Sequence, residues 1–270
     1  MQKNKLKIAI SGALGRMGKI LIQEIIQHTD VYLTAAIIRK NDLFIKKDIG
    51  TVLNINPIGI NINHSIQNEI NNFDILIDFS TVKNTINNLK ICQKHNKNMV
   101  IGTTGFNEIE KKIIKLASKN IGIVYSENFS IGINLILKLL EQTTNTLSHD
   151  SDIEIIDVHH KDKIDAPSGT ALLLGQKIAQ TMNVNLEEYS IYRKKGCIGK
   201  REKQKIGFSI VRAGDVVGEH TIIFAKLGER VEISHKISNR TPFAKGAINA
   251  AIWLNTDKKG LFTMQDVLNF

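Results

Sequence analysis

Residues 5–28 read KLKIAISGALGRMGKILIQEIIQH, and this stretch decides the fold. The apolar run 5–11 reads as a strand ending at glycines, and 15–28 continues with apolar residues at helical spacing. Gly12, Gly15 and Gly18 fall between the two. A helix N-terminus offers N–H groups without intrahelical acceptors and the positive end of the helix dipole, so it suits a pyrophosphate. Glycines let backbone and phosphate approach closely. The spacing is GxxGxxG rather than GxGxxG, so the strand–turn–helix context carries much of the inference. A plain tight turn is the rival reading.

Outward from this turn, VYLTAAII (31–38), DILIDFS (74–80), NMVIGTT (98–104) and IGIVYS (121–126) read as further strands. TVKNTINNLKICQKH (81–95) and NEIEKKIIKLASK (107–119) have helical spacing. Buried strands alternating with amphipathic helices imply a parallel sheet covered on both faces. After a long helix at 131–147 the plan changes. Strands at 152–160, 205–214, 216–227 and 229–237, joined mostly by short turns, predict a mixed or antiparallel sheet. A terminal helix at 243–254 closes the chain.

The chain has 270 residues, enough for two modest domains. No apolar run approaches the roughly 20 residues of a membrane span, and the N-terminus lacks a signal-peptide cleavage region. The reading is a cytoplasmic protein with no membrane partner. Cys92 and Cys197 are the only cysteines, and neither has metal-ligand spacing. No disulfide is expected. Basic neighbours of Cys197 favour its thiolate, although an inert surface thiol is the simpler reading.

A net charge of +10 points to anionic partners: nucleic acid, an anionic cofactor or an acidic metabolite. RKKGCIGKREKQK (193–205) is the best evidence for nucleic acid, but aromatics for stacking are sparse and no nucleic-acid motif is present. A basic loop over an anionic small molecule explains it more simply. At the end of the second strand stand Ile38, Arg39 and Lys40, where a carboxylate would grip the ribose hydroxyls of NAD. Arg39 and Lys40 suit the 2′-phosphate of NADP instead, which favours NADPH over NADH.

DVHHKDKIDAPSGTA (157–171) concentrates the remaining chemistry. Successive strand side chains point to opposite faces, so His159 and His160 serve different tasks. A turn after His160 brings Lys163 back towards the same place. Ser168 caps a helix that begins at Gly169, and the amides of Gly169 and Thr170 form a carboxylate pocket. Histidine supplies acid–base capacity near neutral pH, and lysine neutralises a carboxylate or donates a proton. No metal is expected, because adjacent histidines without a third ligand at metal spacing do not make a zinc site. A strand end followed by a capped helix, with no chemistry, is the plain alternative.

The segment EIIDVHHKDKIDAPSGTA (154–171) resembles the signature of the dihydrodipicolinate reductase family. GALGRMGK, VIGTTGF, NFSIGIN, VRAGDVVGEHT and HKISNRTPFAKGA are similar to further family blocks, in family order. The resemblance runs from about residue 5 to the C-terminus. It implies an α/β fold: an N-terminal Rossmann-type parallel sheet with a C-terminal α+β mixed-sheet domain. The implied division is a dinucleotide-binding domain at 1–130, a substrate-binding and oligomerisation domain at 131–240, and a C-terminal helical segment at 241–270 returning to the first domain.

The implied activity is NAD(P)H-dependent reduction of a cyclic dicarboxylate, in diaminopimelate and lysine synthesis, by a homotetramer. Carried over residue by residue, Gly12, Ala13, Leu14, Gly15, Arg16 and Met17 wrap the pyrophosphate. Gly102, Thr103, Thr104, Ser126, Glu127, Asn128 and Phe129 lie along the nicotinamide. His159 matches the proposed acid, Lys163 the essential lysine, and His160, Gly169 and Thr170 the substrate positions. Arg240 suits a second carboxylate. Four positions depart from the pattern: Ile38 stands where many members carry Glu, Thr81 where some carry Arg, Asp157 for a usual Glu, and Glu127 where small residues or Pro are common. A non-catalytic nucleotide sensor on the same fold is the rival; the complete His159, His160, Lys163, Gly169 and Thr170 set favours an enzyme.

Overall fold

A computed structural model describes residues 5–192, 199–256 and 258–270; Cys197 and the first half of the basic run from 193 lie outside them. The elements in chain order begin β1 (Leu6–Ser11), α1 (Arg16–Ile26), β2 (Val31–Ile37), α2 (Ile49–Val52), β3 (Ile62–Asn63), a 3-10 turn (Ile66–Glu69), β4 (Ile75–Asp78) and α3 (Val82–Lys94). β5 (Asn98–Ile101), α4 (Glu108–Ala117), β6 (Gly122–Tyr125) and α5 (Ile131–Leu147) follow. Next come β7 (Asp152–His159), α6 (Gly169–Thr181), α7 (Leu186–Tyr189), β8 (Ser190–Tyr192), β9 (Ile206–Arg212), β10 (Gly218–Lys226) and β11 (Glu229–Ile237). The chain ends with α8 (Thr241–Leu254), β12 (Gly260–Phe262) and α9 (Met264–Leu268). It divides into two compact units: one runs to Ile131 and resumes at Arg240–Phe270, and the other is Gly132–Asn239.

The first unit is a seven-stranded sheet in the order β12-β6-β5-β4-β1-β2-β3, with every pairing parallel. Its strands are apolar on both sides, and the period of two distributes them. Ile8, Ile10, Ile75 and Ile77 join α1 and α8 in one cluster. Ala9, Leu76, Met99 and Ile101 join residues of α3 and α4 in another. This is the two-faced burial that a parallel sheet requires. The order reverses between β1 and β4, which makes their carboxyl ends the switch point where open α/β sheets bind ligands.

The helix expected at 243–254 is present but does not close the chain. β12 follows it and pairs with β6 as a seventh parallel strand, and α9 comes last. Three residues are too few to show a strand period, so this element leaves no pattern in the sequence.

The second unit has five strands in the order β11-β10-β7-β9-β8. β7 pairs parallel with β9 and antiparallel with β10, so the sheet is mixed as the turn pattern suggests. β10 and β11 form a hairpin. The connection from β9 to β10 crosses to the other side of β7, so these two strands are not neighbours. One face packs Ile153, Ile155, Phe208, Ile222 and Phe224 against Ile136, Leu140, Leu174 and Ile178 of the helices. Two residues on from Ile155 in each case, Asp157 and then His159 continue that inward face at the end of the central strand.

Candidate active site

In the first unit all strands run the same way, so their carboxyl ends share one edge. Gly12 to Met17 follow β1, Arg39 follows β2, Gly102 to Thr104 follow β5, and Ser126 to Phe129 follow β6. The topology thus brings together every residue expected to touch the coenzyme. The N–H groups of Gly12 and Ala13 donate to the Ile37 carbonyl at 3.0 and 3.1 Å, tying the turn to the end of β2. Gly12 has φ +84°, and a β-carbon there would meet the Phe79 carbonyl oxygen at 2.4 Å. A β-carbon on Gly18 would lie 2.1 Å from the Gly12 carbonyl oxygen, so the third glycine allows α1 to start against the turn. Gly15 precedes α1 without a side-chain cap, and no acidic residue occupies the first turn. The first-turn N–H groups are therefore available to an anion, and the residues present fit a nicotinamide dinucleotide.

Gly102 makes room for the Phe79 ring, which lies 5.6 Å from the ring of Phe129. Glu127 is exposed, so its carboxylate adds no buried charge. Ile38 packs against the apolar core, while Arg39 and Lys40 are exposed. Thr81 uses its hydroxyl as the N-cap of α3, accepting from the Asn84 N–H.

Behind this edge lies a buried polar network. Asp78 accepts from the N–H and hydroxyl of Ser80 and from Asn88 at 2.8 Å. Asn84 and Asn88 both donate to Ser11, and the Thr103 hydroxyl receives the Ser80 N–H and the Thr85 hydroxyl. Burial pushes the Asp78 carboxyl above its ordinary range, with the Ser80 and Asn88 hydrogen bonds opposing it.

The second unit centres on Asp157, which is fully buried. Its Oδ2 accepts from the Ser168 N–H at 2.8 Å and from Arg212 Nη2 at 3.0 Å. Its Oδ1 accepts from the Ser168 hydroxyl at 2.8 Å and lies 3.2 Å from His220 Nε2. Burial favours the neutral acid, but the hydrogen bonds from His220, Ser168 and Arg212 outweigh it and hold Asp157 well below the usual carboxylate range. His159 Nδ1 comes within 2.9 Å of Oδ1 yet out of line for a hydrogen bond, so the contact is a close electrostatic approach. Burial pulls the His159 pKa down to about 4 against the pull of Asp157, and His220, Lys163 and Arg212 add to the fall. At neutral pH its imidazole carries no charge.

Ser168 is the N-cap of α6, accepting from the Ala171 N–H at 3.1 Å. Gly169 is exposed and Thr170 half-buried in the first turn that this cap supports. Lys163 is clamped by both carboxylate oxygens of Asp165, at 2.7 and 2.8 Å. Arg212 also donates to the Asp165 carbonyl at 2.7 Å, which ties the Lys163 turn to the Asp157 hub. The strand period separates the paired histidines: His159 is buried against Asp157, while His160 lines an open pocket of about 570 Å³ with Lys161, Asp162, Gly214 and Asp215. Arg240 falls in the first unit, immediately before α8.

Two residues of this cluster escaped the sequence reading, Arg212 and His220. A signal existed for the second: on β10, His220, Ile222 and Phe224 form the inward row, and a polar residue in an apolar row demands a partner. Asp157, His159 and His220 also offer ligand atoms within 4.8 Å of one another. Arg212 and Ser168 already engage both carboxylate oxygens, and a guanidinium beside them opposes a cation, so this donor set does not fit a metal ion.

Comparison with known proteins gives the cluster its context. Family models described as dihydrodipicolinate reductase, N-terminus, and dihydrodipicolinate reductase, C-terminus, match residues 6–129 and 132–268. The chain belongs to the dihydrodipicolinate reductase family. It is 52% identical over 271 residues to the 4-hydroxy-tetrahydrodipicolinate reductase of Buchnera aphidicola subsp. Baizongia pistaciae, covering 100% of both chains. The enzyme of the same name from Buchnera aphidicola subsp. Acyrthosiphon pisum (strain Tuc7) is 49% identical, with 98% of each chain covered. A solved structure of a dipicolinate-bound dihydrodipicolinate reductase from Paenisporosarcina sp. TG-14 shares the fold, with a TM-score of 0.77 at 24% identity, covering 97% of this chain and 98% of that one. Membership makes the chain an oxidoreductase with a pyridine-nucleotide-binding fold, as its first unit indicates.

Proposed function

We propose that this chain reduces 4-hydroxy-tetrahydrodipicolinate to tetrahydrodipicolinate, in the diaminopimelate and lysine route, with NADPH preferred over NADH. The observation that carries the reading is the Asp157 hub. A single carboxylate holds the cap of α6, the approach to His159 and, through Arg212, the turn bearing Lys163. A substrate carboxylate on the Gly169 and Thr170 amides lies beside an acid–base residue and an ammonium group, and His160 with Lys163 suits the second negative charge.

The overall change is loss of water and gain of a hydride and a proton. The nicotinamide, when bound, supplies the hydride. Lys163 delivers the proton that balances it. His159, neutral in the resting protein, shares that proton once the dicarboxylate adds negative charge nearby. Arg39 and Lys40 hold the 2′-phosphate. Their exposure and the absence of a carboxylate at position 38 support NADPH, with Thr81 committed to its helix cap.

A homotetramer in the cytoplasm completes the proposal. The second unit covers only one face of its sheet with helices, and the other presents Ile156, Val158, Ile223 and Ala225, part-exposed and available to another copy. Among the described residues, no helix is long and apolar enough to cross a membrane.

A coupled assay with dihydrodipicolinate synthase, pyruvate and aspartate semialdehyde tests the activity by following NADPH and NADH oxidation separately. Turnover is expected with both, and Lys163→Ala should lower kcat by about 10²- to 10⁴-fold. No oxidation of either coenzyme would overturn the reading, and light scattering that finds a monomer would overturn the tetramer.

A further inference from the structure

We infer that His220 is a positioning residue for His159, acting through Asp157 and Ser168; the inference rests on the reading of His159 as a participant in the reduction. His220 comes from β10, 61 positions along the chain from His159 and on the opposite neighbour of β7 from Arg212. Its imidazole is nearly fully buried, with Nε2 3.1 Å from the Ser168 hydroxyl oxygen and 3.2 Å from Asp157 Oδ1.

Proton counting fixes its orientation. The Ser168 hydroxyl has one hydrogen, which goes to Asp157, and its oxygen receives the Ala171 N–H. Asp157 as a carboxylate only accepts. His220 Nε2, facing both oxygens, must therefore carry the hydrogen. Its Nδ1 is buried with no hydrogen-bond partner. An Nε2–H satisfies both oxygens that face it.

Held in this way, the ring presents itself edge-on to His159, with centroids 5.2 Å apart and planes at 68°. It also keeps Asp157 Oδ1 beside His159 Nδ1. On the far side of the His159 ring, a β-carbon on Gly218 would stand 3.0 Å from Nε2, so the start of β10 leaves the space that this nitrogen occupies. Two residues of one strand, Gly218 and His220, thus define where the His159 ring sits. The charged and titratable groups facing it are Asp157 on β7, Arg212 on β9, His220 on β10 and Lys163 on the turn; His235 on β11 faces His220 from behind. The Asp157 oxygen that approaches His159 is thus held from two sides, by the Ser168 hydroxyl and by His220.

The test compares three variants of the full chain. His220→Phe keeps a ring but loses both polar contacts; His220→Asn is too short to reach them; His220→Gln restores an N–H near the Nε2 position. Steady-state kinetics and the NMR pH titration of the His159 ring protons are measured on each. His220→Phe and His220→Asn are expected to lower kcat by about tenfold or more with substrate KM within about threefold, and to move the His159 titration to lower pH as the Asp157 carboxylate that raises it drifts away. His220→Gln should recover kcat to within about threefold of the parent. A His159 titration unchanged in Phe and Asn variants, or equal kcat losses in all three, overturns the inference. Full activity in His159→Ala would instead overturn the role of His159 in the reaction, and the titration still decides whether His220 positions its ring.

Discussion

Two buried aspartates, Asp78 and Asp157, lie at or near the carboxyl ends of the central strands of their respective sheets, and the environments treat them in opposite ways. Both are fully buried. Asp78 has only neutral donors, Ser80 and Asn88, and burial prevails, so its carboxyl is pushed up. Asp157 has Arg212 and His220 in addition to Ser168, and the partners prevail, so its carboxyl is pulled down. Burial alone therefore says nothing about the charge of a carboxylate; the donors around it decide. The first network stiffens a coenzyme-binding edge with neutral donors alone. The second keeps a permanent negative charge next to two histidines and a lysine-bearing turn.

The largest effect that separates them is expected from amide substitution. Asp157→Asn leaves Arg212 without its buried counter-ion and should cost about 3–5 kcal/mol of stability, together with most of the turnover. Asp78→Asn meets no cation and should cost about 1–2 kcal/mol, measured for both by urea unfolding of the full-length protein. Equal costs would break the comparison.

Acid sharpens it further. The His159 pKa is lowered from 6.5 to about 4 in the folded protein, so between those values the unfolded chain binds a proton that the native state refuses. Stability is lost as pH falls from 6.5 towards 4, and His235, also lowered by burial and by His220, adds to the loss. Asp157 is lowered too, so its contribution is present above pH 3.8 and lost below it. Asp78 is raised, so the native state takes up its proton first and gains stability on acidification above pH 3.8. Melting temperatures from pH 7 to 4 should show a shallower fall in His159→Asn and a steeper one in Asp78→Asn.

The smallest expected effect concerns what each unit recognises. The groups of the second unit are buried and pre-set, whereas the 2′-phosphate groups of the first, Arg39 and Lys40, stand in solvent. Arg39→Ala should raise KM for NADPH by about tenfold and leave KM for NADH within twofold, read from initial rates with each coenzyme.

The sequence displayed the parts of this molecule that depend on short-range pattern. The glycine turn, the strands on either side of it and the alternation that separates His159 from His160 all follow from periods of 3.6 and 2. Ser168 as a cap and Gly169 as the helix start were equally plain. What stayed hidden has physical causes. β3 and β12 have two and three residues, too short for any period. Arg212 and His220 reach Asp157 and Ser168 across 55 and 52 positions of chain, a pairing fixed only by the strand order of the finished sheet. The pattern of the basic run suggests a loop over an anionic small molecule, yet Arg201 within it donates inward to Glu154 at 2.7 Å and to the Ile153 carbonyl.

That long reach has a consequence for how the protein opens. Asp157, Ser168, Arg212 and His220 come from the central strand, a helix start and both flanking strands, so no local fragment of the second unit contains the hub. The hub is then an all-or-none property of that unit's folded state. The Ser168 amide, locked onto Asp157, is therefore expected to exchange its hydrogen only as slowly as the unit unfolds globally, which hydrogen-exchange NMR would read.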